Sequence, residues 1–271
     1  MKYRCLSIAG FDSSGGAGIQ ADLKTFSALG CYGMTVLTAL PIQNTCGVRS
    51  CYDIPLKAIE EQLEAVFDDI VPDSIKIGML FSEPIIEVVA SFLAKYAVGI
   101  PIVLDTVMVA KSGDKLLLPE AVNALKTRLI PLVTIITPNL PEAYTLVGRT
   151  QEFEVLGAKL LKLGSEAVLL KGGHSSGNTS DDLFLDQQGI RALLKAERIE
   201  SRNTHGTGCT LSAAICAFLS RGIALFDACK YAKHYLFEAI LASKEHSVGK
   251  GCGPVNHFYH LQPTINKTVE D

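Results

Sequence analysis

The sequence predicts an α/β fold with a mostly parallel sheet covered by helices on both faces. Short apolar runs alternate with segments of helical period almost from end to end. Runs such as Cys5–Ala9, Ile102–Leu104 and Ala167–Leu170 are apolar throughout, as in strands buried on both sides. Polar residues also recur just beyond these runs, at Asp12, Gln43, Asp105, Asn139, Glu142 and Lys171, where open α/β sheets hold their ligands. With no internal repeat, heptad or low-complexity linker, residues 1–271 read as one domain.

Composition narrows the function. Of 271 residues, 48% are hydrophobic, enough for a sizeable core. Lys and Arg number 25 against 28 Asp and Glu, so no basic field points to nucleic acid or an anionic membrane. A small polar ligand is the expected partner. No apolar stretch has the length to span a bilayer, and the amino-terminal run is too short for a signal peptide. The eight cysteines lack metal-type Cys-x-x-Cys spacing and read as reduced thiols of a cytoplasmic protein.

In order, Cys5–Ala9 predicts a first strand, followed by the loop Asp12-Ser13-Ser14-Gly15-Gly16-Ala17-Gly18. Ile19, Leu23, Phe26 and Leu29 recur at helical spacing before Gly30. The run from Met34 to Ile42 predicts a second strand that delivers Gln43 at its end. Leu56 to Phe67 gives a helix, Ser74–Ile77 a strand and Ile85–Ala97 a helix. Ile102–Leu104 is a strand ending in Asp105, Ala121–Leu129 a helix and Val133–Ile136 a strand. The turn Thr137-Pro138-Asn139-Leu140-Pro141-Glu142 leads into a helix at Ala143–Val147. A helix at Val155–Leu163 precedes the strand Ala167–Leu170, which ends in Lys171-Gly172-Gly173-His174. Leu183–Leu185 and Arg191–Leu194 suggest a hairpin, and Leu225–Leu241 a last long helix before a glycine-rich tail.

The chemistry is expected at Asn203-Thr204-His205-Gly206-Thr207-Gly208-Cys209, where a glycine turn runs into a helix apolar on nearly every side. A helix start leaves unpaired amides and about half a positive charge, which suits an oxyanion against Thr207, Gly208 and Cys209. That field is expected to favour the Cys209 thiolate. Phosphoryl transfer needs donors on the phosphates, carboxylates to hold Mg²⁺, and a group facing the accepting hydroxyl. Lys171, the pair Glu142 and Asp105, and Cys209 supply these in turn, although Asp105 and Asn139 each also fit a plain capping role. The first loop has neither the Gly-x-Gly-x-x-Gly spacing of a dinucleotide site nor the Gly-Lys-Ser/Thr ending of a P-loop. His174 and His205 read as loop histidines.

Several motifs in a fixed order then resemble a known family. They are Gly10 and Asp12 with Ser14–Thr25, Lys76–Leu80, Leu104–Met108, Thr137–Ala143, Lys171–His174 and Asn203–Thr210. Together they resemble the hydroxymethylpyrimidine and phosphomethylpyrimidine kinases of thiamine biosynthesis, in the ribokinase-like superfamily. The resemblance implies a three-layer α/β/α fold and a phosphotransferase using ATP and Mg²⁺ on a small pyrimidine, first on its alcohol and then on the monophosphate. It implies a pyrimidine site at Gly10, Asp22, Gln43, Met79 and Val107, with Gln43 on the ring's amino edge. It implies that Asp105, Asn139 and Glu142 serve the metal–nucleotide side, Lys171 and Thr207 the phosphates, and Cys209, with Gly206 and Gly208 around it, the catalytic position. A homodimer is expected on the same ground. Phe11 and Cys46 depart from the family's pattern. The rival readings are a pyridoxal kinase of the same superfamily and a non-catalytic nucleotide or pyrimidine sensor.

Overall fold

The computed structural model describes residues 2–109, 113–114, 116–150, 152–173 and 177–261. Its centre is an eight-stranded sheet in the order β10-β9-β8-β7-β6-β5-β1-β2. Strands β1 (Arg4–Ala9), β2 (Tyr32–Leu37), β5 (Ser74–Ile77), β6 (Ile102–Leu104), β7 (Ile135–Ile136) and β8 (Ala167–Leu170) run parallel. The hairpin of β9 (Asp182–Asp186) and β10 (Arg191–Leu194) closes one edge antiparallel, as the two short apolar runs suggested.

Side chains alternate across the parallel strands, and the alternation sorts them into two cores. Leu6, Ile8, Ile75, Ile77, Leu104, Ile136, Val168 and Leu170 face helices α2 (Leu56–Asp69), α3 (Glu83–Tyr96), α4 (Ala121–Ala124), α5 (Leu140–Val147) and α6 (Phe153–Leu161). Cys5, Val103, Ile135, Ala167 and Leu169 face α1 (Gly18–Ala28), α7 (Thr207–Ser220) and α8 (Leu225–Ser243). The result is three layers, helix on sheet on helix. Helix α7 packs between the sheet, α1 and α8, which explains why its sequence has no polar face.

The structure differs from the sequence reading at two elements that bear on function. The apolar run Met34–Ile42 is not one strand: β2 ends at Leu37, and Ala39–Asn44 (β3) pairs antiparallel with Gly47–Asp53 (β4) in a separate two-stranded sheet. Thr38 marks the exit, its amide bonded to Ala9 O and its hydroxyl donating to Met79 O. Pro41, which has no amide to give a central ladder, sits in the hairpin. Second, the Ala121–Leu129 helix is regular only to Ala124; a wider-wound turn over Leu125–Leu129 and a tight turn at Ile130–Leu132 follow, ending around Pro131.

Strands leave β1 in opposite directions, β2 to one side and β5 to the other, so the order of the sheet reverses between β1 and β5. At such a point the connecting loops diverge and leave a crevice at the carboxyl ends.

Candidate active site

That crevice is a cavity of about 610 Å³. Its wall at the reversal point is made by Gly10, which follows β1, and Met79, which follows β5. A Cβ on Gly10 would stand 3.0 Å from the Met79 sulfur, so the missing side chain is what lets Met79 pack this close to the end of β1. Val107 and Met108 continue the apolar wall, and Gln43 reaches it from the β3–β4 hairpin. The Gln43 amide donates to Phe11 O at 3.4 Å, a long bond. Gln43 thus arrives on a flap, not at the end of a central strand as the sequence suggested.

At the other end the strand termini deliver charge. Lys171, after β8, places its Nζ 3.2 Å from Oδ1 of Asp105, which follows β6. Thr137 and Ser212 hydroxyls also reach Asp105, at 3.4 and 3.5 Å. Burial alone pulls the Lys171 ammonium down, but Asp105 and Glu142 more than offset it and keep it protonated.

Asn139 and Glu142 form a capping box at the start of α5. The Glu142 amide donates to Asn139 Oδ1 and the Asn139 amide to Glu142 Oε2, each at 2.9 Å. Glu142 also accepts from the Thr106 hydroxyl at 3.0 Å. Both residues line the cavity, so the cap and the cavity wall are one structure. Burial and Asp105 push the Glu142 carboxyl up, against Lys171 and its two donors. Two buried carboxylates facing one lysine leave excess negative charge, the environment in which a hard divalent cation is favourable. No cluster of three protein ligands exists among the described residues, so Asp105 and Glu142 could hold Mg²⁺ only together with water or phosphate oxygens.

Between the two ends stands the start of α7. Gly206 caps it in the left-handed region, φ 76°, and a Cβ there would run into Gly16 O of the first glycine loop. Gly208 lets the helix approach the ion pair: its Cβ would lie 3.3 Å from Asp105 Oδ2 and 3.5 Å from Lys171 Nζ. Thr207, Gly208 and Cys209 all line the cavity. The expected thiolate is not what the surroundings favour. Burial pushes the Cys209 thiol up to about 11; Lys76 and the Gly18 amide pull it down, but Asp22 and Asp105 add to the rise. The field of a helix terminus is too small to reverse that balance.

Asp22 is the one proposed substrate contact that the structure keeps away from the cavity wall. It is 0% exposed, bonded to Lys76 Nζ at 2.8 Å and to the Ser7 hydroxyl at 2.5 Å. Lys76 lines the cavity in its place, and the sequence reading passed over it. The signal was there: a lysine inside the fully buried strand Ser74-Ile75-Lys76-Ile77 requires a partner. His205, read as an ordinary loop residue, also lines the cavity and contacts Asp12, while His174 lies outside the described residues. A third set was invisible in the sequence, because Ala196, Arg198, Ile199 and Phe237 reach the far end of the cavity only through the β9–β10 edge and α8.

Known proteins resemble this chain in sequence and in fold. The phosphomethylpyrimidine kinase family profile matches residues 12–256. The hydroxymethylpyrimidine/phosphomethylpyrimidine kinase of Salmonella typhimurium is 50% identical over 263 residues, covering 95% of this chain and 98% of that protein. A crystal structure of phosphomethylpyrimidine kinase from Clostridium difficile superposes with a TM-score of 0.78 at 45% identity, over 88% of this chain and all of that one. An ADP complex of Bacillus subtilis pyridoxal kinase gives 0.86 at 36% identity, over 95% and 98% of the two chains. With a profile match over most of its length and a relative at half identity across nearly all of it, this chain belongs to the phosphomethylpyrimidine kinase family.

Proposed function

We propose that this chain is the ATP-dependent kinase that phosphorylates 4-amino-5-hydroxymethyl-2-methylpyrimidine and then its monophosphate, supplying the diphosphate for thiamine biosynthesis. The observation that carries this reading is a single cavity that joins an apolar wall to a lysine–carboxylate cluster across the first turn of α7. A flat heteroaromatic ring suits the apolar wall formed by Gly10, Met79 and Val107, with the Gln43 amide at its edge to pair with the ring's amino side. Nucleotide phosphates suit the amides of Thr207 and Gly208 and the Lys171 ammonium.

Phosphoryl transfer asks the protein mainly for alignment and charge. The acceptor oxygen forms a bond to the γ-phosphorus as the bond to the bridging oxygen breaks, and ADP leaves with that electron pair. The hydroxyl proton departs late toward the Cys209 sulfur, which can take it only in its minor thiolate form; as the neutral thiol, its task is to hold the hydroxyl in line. Asp105 and Glu142 would hold Mg²⁺, which when bound neutralises charge on the β- and γ-phosphates. Asn139 braces Glu142, while Gly206 keeps the helix start close to the first glycine loop and Gly208 keeps it close to Asp105 and Lys171. On the family resemblance the working form is a cytoplasmic homodimer with the whole chain as one kinase domain; among the described residues no helix is long and apolar enough to cross a membrane.

Pyridoxal is the second reading, favoured by the superposition on pyridoxal kinase. The test is turnover by the purified chain with ATP and Mg²⁺ on three acceptors: the hydroxymethylpyrimidine, its monophosphate and pyridoxal. We expect both pyrimidines to be phosphorylated with higher kcat/KM than pyridoxal. A preference for pyridoxal overturns the substrate assignment, and absence of ATP consumption with all three overturns the kinase reading.

A further inference from the structure

The buried pair of Lys76 and Asp22 has no part in the chemistry described so far. Both side chains are 0% exposed, and Nζ sits 2.8 Å from Oδ2. Such a pair does little for stability, because removing two charges from water costs about what their attraction returns. This one is also incompletely satisfied: Asp22 Oδ1 has no hydrogen-bond partner among the described residues. Its location is specific. Gly18 directs its amide at the Cys209 sulfur, and Asp22 lies one helical turn further along α1 on the same face. Lys76 therefore lines the cavity beside Cys209, at the acceptor end. Gly78 leaves it room, since a Cβ there would stand 2.8 Å from Nζ.

Among the described residues, the other cations on the cavity wall are engaged elsewhere. Lys171 pairs with Asp105, and Lys233 is held by Asp182 and Ser180 O. Arg198 donates to the carbonyls of Gly173, Gly177 and Thr179, and His205 rests on Asp12. The two acceptors of the proposed reaction differ in charge, one a neutral alcohol and the other a phosphate monoester carrying about −1.5 to −2 at neutral pH. Bringing that anion toward Asp105, Glu142 and a nucleotide's phosphates needs a positive charge on the acceptor side.

We propose that the Lys76 ammonium, anchored by Asp22, is the positioning charge that lets the acceptor end take a phosphate monoester as well as an alcohol. The inference rests on the kinase reading above. Lys76 acts through the field it places at the acceptor oxygen, not by contact, so its effect scales with the acceptor's charge. Asp22 opposes that field and fixes the ammonium in place.

The experiment compares kcat/KM for the alcohol and for its monophosphate in the wild type, Lys76→Met, Asp22→Asn and the double variant, with thermal denaturation to confirm folding. It is paired with calorimetric binding of the monophosphate in the absence of ATP. Lys76→Met should cut monophosphate binding and kcat/KM on the order of tenfold more than it cuts kcat/KM for the alcohol, the scale of one charge acting through protein. Asp22→Asn should shift the ratio the opposite way. Should Lys76→Met fail to fold because Asp22 is left unpaired, the double variant removes both charges and should still lose preference for the monophosphate. Equal losses on both acceptors, or shifts of the same sign in the two single variants, overturn the inference and leave the pair structural. A wild type that phosphorylates neither pyrimidine overturns the substrate assignment above and this inference with it.

Discussion

The imidazole Nε2 of His205 lies 2.8 Å from Oδ2 of Asp12, and this contact ties the turn before α7 to the glycine loop before α1. Asp12 is wholly buried and also accepts from the amides of Ser14, Gly16 and Ala17 and from the Ser14 hydroxyl. One carboxylate thereby shapes the loop and, through His205, holds the two helix starts that flank Cys209 in register.

Burial pushes the Asp12 carboxyl up, but His205, Ser14 and the Ala17 amide outweigh it and hold the group below the usual carboxylate range. A depressed pKa means stability that is present above the unfolded value of about 3.9 and lost as pH falls through the folded one. Asp12→Asn should therefore lower unfolding free energy by roughly 2 kcal/mol at pH 7. The difference from wild type should shrink as pH drops below about 4. Urea denaturation at a series of pH values measures both; a constant difference down to acid pH would remove the charge from the account.

Why some of this was legible in the sequence and some not follows from range. The parallel strands and their helices are written locally, in apolar runs and helical spacing, and residues at strand ends such as Asp105 and Lys171 follow from the rule for open sheets. The Asn139–Glu142 cap was readable because its two partners are three residues apart. The flap was not. Its exposed strand β4 has no apolar alternation, and only pairing with β3 gives it form. Lys76 and Asp22 are 54 residues apart, and nothing local to either names the other. The Cys209 thiolate was inferred from the helix terminus alone, when the outcome depends on Asp22, Asp105 and burial supplied by other elements.

Gln43 approaches the Gly10–Met79 wall from the flap, and among the described residues its side chain is held only by a long bond to Phe11 O. Gln43→Ala should raise KM for the hydroxymethylpyrimidine about tenfold, the scale of one or two hydrogen bonds, while kcat falls less. Steady-state kinetics decide it. An unchanged KM would take Gln43 out of the substrate site and leave its amide as a flap brace.

Glu142→Gln keeps the shape of the α5 cap, since glutamine also serves at that capping position, but removes one of the two carboxylates facing Lys171. Folding stability should change little. The Mg²⁺ concentration for half-maximal activity should rise about tenfold or more if the carboxylate holds the cation. A variant with ordinary Mg²⁺ dependence and reduced stability would make Glu142 a cap and nothing more.

Cys209 carries the sharpest prediction, because its two possible tasks separate experimentally. With the thiol pushed up to about 11, alkylation of Cys209 by iodoacetamide should be slow at pH 7.5 and climb steadily with pH through 10, followed by mass spectrometry of the peptide containing it. A midpoint near that of a free thiol, about 8.5, would mean that Lys76 and the helix start fully offset burial and the nearby carboxylates. The acceptors then divide the roles of the sulfur. An alcohol must lose a proton on transfer, whereas a phosphate monoester dianion has none to lose. Cys209→Ala should therefore depress kcat for the hydroxymethylpyrimidine by roughly a hundredfold or more, the range of general acid–base assistance, and depress kcat for the monophosphate distinctly less. Nucleotide affinity, measured by calorimetry with ADP, should stay within a few-fold of wild type. Equal losses with both acceptors would assign the sulfur to alignment alone, and a matching loss of ADP affinity would move it to the phosphate site.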